Sequence, residues 1–254
     1  MKEKFVKVSI LFLVLFFAKT IIFSQELDSL LNIVNNNETA DTVRLQTYEK
    51  ITSYYYRFDL DSMVYYDSII INQVKIDEVT DRISKAKLQS KSNAINSIGI
   101  ATYLKGDVVK ALQLFETSLA LNKKTKYDKA IASNLNNLAA LYNSLGDVKK
   151  ALNYYMESLK VREILKDQKE IAVSLNNLGT LYASQKEYKI ALDYYKRSLK
   201  IRDSIGDMKG VSSVYTNLGI LLKQKGDIKR ALVYYKRALI IDLELNNKEG
   251  IIID

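Results

Sequence analysis

The chain has 254 residues, 48% hydrophobic and 26% charged, with a formal net charge of +9, which is too apolar for a disordered protein. It contains no Pro, Cys, His or Trp, which excludes disulfides, thiolate metal sites and imidazole bases or ligands. With no Pro and only nine Gly, it also lacks the turn punctuation of an all-β fold.

The chain opens on Lys2, Lys4 and Lys7, followed by an eleven-residue apolar run from Val8 to Ala18. Lys19 interrupts the run, and Ile21-Ile22-Phe23-Ser24 follows. A bilayer span needs about 20 apolar residues, so residues 1–24 are predicted to be a signal peptide cleaved after Ser24. An uncleaved anchor with Lys19 snorkelling is the alternative. Either reading exports the remainder, to a periplasmic or cell-surface location in a bacterium. Membrane contact is then expected only through the signal peptide or a span encoded downstream. Removing residues 1–24 takes away four Lys and one Glu and leaves +6, interspersed with acids.

Residues 25–44 read as a cap and loop: a short amphipathic piece, Leu27 to Val34, then the polar run Asn35-Asn36-Asn37-Glu38-Thr39. Residues 45–91 read as a degenerate helical repeat, with Arg57-Phe58-Asp59 at its turn and Met63-Val64 standing for an Ala-Leu pair. That pair recurs at Ala111-Leu112, a spacing of 48, so the intervening segment is extended.

Residues 92–246 hold four copies of a 40-residue unit. Ala111-Leu112 recurs as Ala151-Leu152, Ala191-Leu192 and Ala231-Leu232. Phe115 recurs as Tyr155, Tyr195 and Tyr235, and Leu119 as Leu159, Leu199 and Leu239. Gly99, Ala139, Gly179 and Gly219 keep the same register. Each copy carries two helical stripes, such as Leu135, Leu138, Leu141 and Tyr142, then Ala151, Leu152, Tyr155 and Leu159. Gly106-Asp107, Gly146-Asp147 and Gly226-Asp227 join the stripes, with Gly suited to a left-handed helix end and Asp to the next N-cap. Lys186-Glu187 replaces the pair once, and a side chain in the left-handed region costs about 1–2 kcal/mol; this turn is expected to be the least regular. Neither helix buries its face alone, so the copies must stack as an all-α solenoid. Glu249-Gly250-Ile251 matches Lys209-Gly210-Val211, so residues 247–254 read as the start of a truncated fifth repeat, which implies either a fragment of a longer protein or a truncated reading frame.

The pattern Asn137-Leu138-Ala139, Tyr142, Gly146-Asp147, Ala151-Leu152, Tyr155, Leu159 resembles the tetratricopeptide-repeat (TPR) consensus. Asn177-Leu178-Gly179 with Tyr182, and Asn217-Leu218-Gly219 with Gly226, resemble it more closely. The 40-residue length without Pro is similar to the longer-helix subclass found in kinesin light chains and in regulators related to the LGN adaptor. This resemblance implies a right-handed superhelical α-solenoid of antiparallel helix pairs, whose first helices line a groove. It implies four groove positions per first helix: Asn93, Ser97, Ile100 and Leu104; Ser133, Asn137, Ala140 and Ser144; Val173, Asn177, Thr180 and Ser184; Ser213, Asn217, Ile220 and Gln224. Their spacing keeps each set on one face. Asn137, Asn177 and Asn217 are then expected to pair with the backbone of an extended peptide, with Asn136 and Asn176 at the groove edge. Alternatively, these Asn residues bridge adjacent helices through backbone hydrogen bonds. Chaperone-clamping TPR domains use Lys and Arg where this chain has Ser, Asn and Val, so a carboxylate clamp is not expected.

The second helices carry Lys160 and Arg162, then Lys196, Arg197, Lys200 and Arg202, then Lys236 and Arg237. A basic outer ridge for nucleic acid is weighed against a solvated face of helix ion pairs, and the interleaved Glu157, Glu163, Asp193 and Asp203 favour the latter. Of Tyr154-Tyr155, Tyr194-Tyr195 and Tyr234-Tyr235, one ring of each pair is predicted to be core and the other half-buried between repeats. No catalytic site, metal or cofactor is expected. The function expected is binding of a peptide or protein ligand by an exported scaffold. The alternative, by analogy, is the extracytoplasmic sensor portion of a bacterial histidine kinase or transcriptional regulator.

Overall fold

A computed structural model describes residues 25–36, 39–56, 59–75 and 80–245. The predicted signal peptide, Asn37-Glu38, the turn pair Arg57-Phe58 and the predicted fifth repeat lie outside these residues. Every regular element among the described residues is a helix. None of these helices is long and apolar enough to cross a membrane. The chain divides into two compact units, Met1–Thr125 and Lys126–Asp254.

The first unit holds α1 (25–35), α2 (Asp41–Tyr55), α3 (Leu60–Gln73), α4 (Arg82–Leu104) and α5 (Val108–Thr125). Val34 of α1 is buried with Leu45, Tyr48 and Ile51 of α2 and Ile70 of α3, and Leu27, Leu30 and Leu31 pack on the same cluster. The residues read as a loop before position 44 therefore include the first turn of α2. Asp59 starts α3 by accepting from the Asp61 and Ser62 N–H groups, and Met63 is fully buried. The longer spacing to Ala111 goes into a 23-residue α4. A capping box starts that helix: the Ser84 N–H donates to Asp81 Oδ1 at 2.7 Å and the Asp81 N–H to Ser84 Oγ at 2.9 Å. The boundary drawn at residue 91 falls inside it.

The second unit holds six helices of 17 residues: α6 (Asp128–Ser144), α7 (Val148–Ile164), α8 (Gln168–Ser184), α9 (Tyr188–Ser204), α10 (Met208–Gln224) and α11 (Ile228–Glu244). Three-residue turns separate them, so the underlying backbone period is 20. Lys126, Gly146, Lys166, Lys186, Gly206 and Gly226 all have positive φ. In each turn from 146 onward, this residue donates its N–H to the third residue before it. The next residue donates to the fifth before it, as Gly146 does to Asn143 O (3.0 Å) and Asp147 to Tyr142 O (2.9 Å). This double bond pattern closes the orphan carbonyls of the preceding helix. Asp147, Asp167, Asp207 and Asp227 then cap the next helix through their side chains.

The Lys186-Glu187 turn departs from expectation. Its bonds, Lys186 to Ala183 O (3.0 Å) and Glu187 to Tyr182 O (2.9 Å), match those of the Gly turns. Its cost is energetic: Lys186 sits at φ 62°, and Glu187 makes no side-chain cap bond.

Within each pair the predicted small residue meets the predicted ring. A Cβ on Gly179 would lie 2.7 Å from the Tyr195 ring, and one on Gly219 2.5 Å from the Tyr235 ring. Gly99 and Phe115 make the same contact in the first unit. Buried hydroxyls tie the same helices together. Ser158 Oγ donates to Ala132 O at 2.8 Å and Ser198 Oγ to Ala172 O at 2.7 Å. In the last pair the roles reverse, and Ser212 Oγ donates to Ala238 O at 3.4 Å.

Successive pairs are joined by arginines that the sequence reading placed on an outer ridge. Arg162 and Arg202 are 4% and 7% exposed. Arg162 donates to Ser174 Oγ at 2.7 Å and Glu170 O at 3.1 Å, and pairs with the Glu170 carboxylate at 2.7 Å. Burial pulls its pKa below the usual guanidinium value, opposed by Glu170 and Asp167. Arg202 pairs with Asp207 at 2.5 Å. Its guanidinium lies over Gly210, where a Cβ would meet it at 1.7 Å. The aligned position in the preceding repeat is Glu170 itself; with Gly there, Arg202 pairs instead with Asp207, whose counterpart Asp167 pairs with Lys129.

Candidate functional site

The first helices of the second unit share a row of amides. Asn177 on α8 donates Nδ2–H to Asn136 Oδ1 on α6 at 2.8 Å. Asn217 on α10 donates Nδ2–H to Asn176 Oδ1 on α8 at 2.9 Å. All four side chains are half-buried. These amides bridge successive first helices through one another's side chains, not through the backbone hydrogen bonds of the alternative expectation. Each bridge uses one of an amide's two N–H groups on one side and one of its two lone pairs on the other. Donor and acceptor capacity remains on the same face.

The other predicted groove residues of this unit surround that row. Ser133 and Ser213 are exposed and return their hydroxyls to Lys129 O (3.2 Å) and Lys209 O (3.1 Å). Thr180 is exposed, and its Oγ1 lies 3.1 Å from both Asn176 O and Tyr195 Oη. Gln224 is exposed, and Asn137 is half-buried. Asn93 belongs to the first unit; it is exposed there and lines a cavity of about 520 Å³ with Ser97.

The outer face differs from the ridge as read. Lys160, Lys196, Arg197, Lys200, Lys236 and Arg237 are exposed, but Arg162 and Arg202 belong to the junctions between pairs. Arg197 pairs with Asp193 at 4.0 Å. Tyr155 and Tyr195 are core. Their neighbours are half-buried and stack on a ring of the same helix pair: Tyr142 on Tyr154 at 5.6 Å, and Tyr182 on Tyr194 at 5.5 Å. The fourth pair has Leu222 at the position of Tyr142 and Tyr182, and Tyr234 meets Tyr215 at 5.7 Å instead. Lys150 over Tyr142 (4.7 Å) and Arg197 over Tyr194 (5.4 Å) add cation–π contacts.

A family profile described as the tetratricopeptide repeat matches residues 90–164 and 170–244, more than half of the chain. The chain belongs to the TPR family. No curated protein sequence matches it. Solved TPR-like structures resemble it in fold. BtubC (BKLC) from P. vanneervenii superposes with a TM-score of 0.67 at 19% identity, covering 89% of this chain and 91% of that one. The Rap conjugation gene regulator of the plasmid pLS20, solved in complex with the Phr* peptide, gives 0.65 at 18% identity, covering 91% and 71%. Aspartyl phosphate phosphatase F from Bacillus subtilis gives 0.65 at 14% identity, covering 82% of this chain and 54% of that one. At these identities the likeness concerns the fold, and this chain is a TPR scaffold.

One feature of the first unit escaped the sequence reading. Asp67 on α3 is 2% exposed, and its Oδ2 is buried without a hydrogen-bond partner among the described residues. Burial raises its pKa from 3.8 to about 8, with Glu49 adding to the shift and the Thr52 hydroxyl opposing it. It lines the same cavity as Asn93 and Ser97, with Glu49, Thr52, Ser53, Tyr56 and Ala94. The signal was present in register: Met63 aligns with Ala111, so Asp67 stands where later repeats have Phe115, Tyr155, Tyr195 and Tyr235.

Proposed function

We propose that this protein is an exported TPR scaffold that binds an extended peptide, or an extended segment of a partner protein, along its first helices. The observation that carries this reading is the amide row, Asn136 with Asn177 and Asn176 with Asn217. It offers donors and acceptors to a peptide backbone without demanding a particular side chain. The mostly uncharged neighbours, Ser133, Thr180, Ser213 and Gln224, suit a neutral backbone better than a phosphate or a terminal carboxylate. The Phr* complex of the pLS20 regulator supports the same use of a similar fold. Export rests on the N-terminal sequence alone.

Panning a displayed library of random peptides against the full chain tests the reading. Enriched sequences should protect the α6, α8 and α10 amides from hydrogen exchange. A panning experiment with no enrichment, or protection confined to α7, α9 and α11, contradicts it. Export is checked separately: fractionated cells should hold the protein outside the cytoplasm, starting at Gln25.

A further inference from the structure

The groove positions implied on α4 are Asn93, Ser97, Ile100 and Leu104. Counted back by the 48-residue spacing that links Met63 to Ala111, the same positions are Leu45, Glu49 and Thr52 on α2 and Tyr56 at its C-cap. Five of these eight residues line the cavity of about 520 Å³ in the first unit. The cavity is thus the groove face of this unit, and Asp67 lies beneath it.

The buried acid in its lining comes from a substitution in the repeat. Later pairs fill this level with an aromatic ring packed on Gly or Ala. Here that pair becomes Asp67 and Ile51. Ile51, fully buried, takes the volume that Gly or Ala yields to the ring in later pairs, and the carboxyl of Asp67 takes the ring's place beside the cavity. A buried carboxylate without a counter-charge is costly, so burial holds Asp67 protonated up to about pH 8, and its Oδ2 has no hydrogen-bond partner among the described residues. A cation entering the cavity would supply the missing counter-charge.

We propose that this cavity is a subsite for a protonated amine or guanidinium carried by a peptide ligand, a Lys or Arg side chain, with Asp67 as its counter-ion. The proposal rests on the peptide-binding reading above and adds the chemical class of one ligand residue. Two carboxyl groups, Asp67 and Glu49, face the cavity, and the other polar groups lining it, Thr52, Ser53, Tyr56, Asn93 and Ser97, are hydroxyls and an amide that can accept from a cation. Asp67, Glu49 and the Tyr56 phenol are the titratable groups among them. An anionic ligand would meet two acids. A metal ion would need more ligands than are present, since no cluster of three or more acidic, His or Cys groups occurs among the described residues. The chain carries a net positive charge, so its overall field would not draw a cation to this cavity.

The test is calorimetric titration of the full chain with three blocked Gly-rich peptides carrying one central Lys, Arg or norleucine, and with n-butylammonium. At about pH 8.5, where Asp67 is mostly ionised, the Lys and Arg peptides should bind at least about tenfold more tightly than norleucine. Asp67→Asn should remove that preference. In the wild type it should weaken about tenfold per pH unit below about pH 8, because the proton must first leave. Tighter binding of the peptides than of n-butylammonium assigns the cation to a peptide; equal binding overturns the peptide assignment in favour of a small amine. Equal affinity for Lys and norleucine, or an unchanged preference in Asp67→Asn, overturns the subsite. Should Asp67→Asn fail to fold, the Asp67 side-chain carboxyl carbon of the wild type can be followed by NMR. Its titration should move to lower pH with the Lys peptide present, and an unmoved midpoint is the contrary result. Peptides selected on the amide row that bind Asp67→Asn normally would leave the groove reading intact and remove only this subsite.

Discussion

Asn217 donates its side-chain N–H to Asn176 Oδ1 at 2.9 Å, and Asn177 makes the same bond to Asn136 at 2.8 Å, both 41 positions apart. The repeat period is 40, so the donor is always one residue further along its helix than the acceptor. The offset places a bond between first helices that have few other contacts. Asn176→Ala is expected to cost about 0.5–1.5 kcal/mol. Urea unfolding of Asn176→Ala, Asn217→Ala and the double variant should show coupling of about 0.5–1 kcal/mol. Strict additivity would mean that the bond is not made in solution.

Lys186 holds a left-handed conformation that Gly146 and Gly226 adopt freely in the aligned turns. Lys186→Gly should stabilise the protein by about 1 kcal/mol, the relief of strain exceeding the added unfolded-chain entropy. A rise in the urea midpoint at unchanged slope would show it. Lys166, at φ 54°, should respond in the same direction.

Gly179 lies under the Tyr195 ring, but the aligned pair in the preceding repeat is Ala139 under Tyr155, both buried. The same backbone therefore accepts a methyl group when the ring shifts. Gly179→Ala should change stability by less than about 1 kcal/mol, whereas Gly179→Leu should cost about 3 kcal/mol or more by overpacking. Thermal melting of both variants checks the contrast.

Asp67 should make the protein less stable as pH rises. Its folded pKa is about 8 against 3.8 unperturbed. Between those values the folded state holds a proton that the unfolded state has lost, so stability falls through this window and levels off above it. Asp67→Asn should flatten that slope. Urea midpoints at about pH 5, 7 and 9 compare the two; identical profiles would contradict the burial of an unpartnered carboxyl.

The helix pairs were legible because each copy repeats the same small and large residues: Gly179 and Ala191 against Tyr195 admit one packing. The Gly-Asp turns were legible for the same reason. The turns at Lys126 and Lys166 were not legible because neither residue carries a left-handed signature, although both have positive φ. Arg162 and Arg202 were placed outside because charge is normally solvated, and nothing local reveals that Glu170, Ser174 and Asp207 meet them. The amide row was half legible. Spacing put the Asn residues on one face, but the partner of each lies on another helix. Asp67 carries no local signal: a single acid in a helix is ordinarily solvated, and only its register with Phe115 marks it as a core position.

The most direct test of the central claim is fluorescence anisotropy of a panning-selected peptide against the wild type and Asn177→Ala/Asn217→Ala, each confirmed folded by circular dichroism. Loss of the amide row should weaken binding at least about tenfold, while Lys196→Glu/Lys200→Glu on the outer face leaves it unchanged. Unchanged affinity in the Asn variant, with loss in the outer-face variant, would place the ligand on the wrong side of the scaffold and contradict the account.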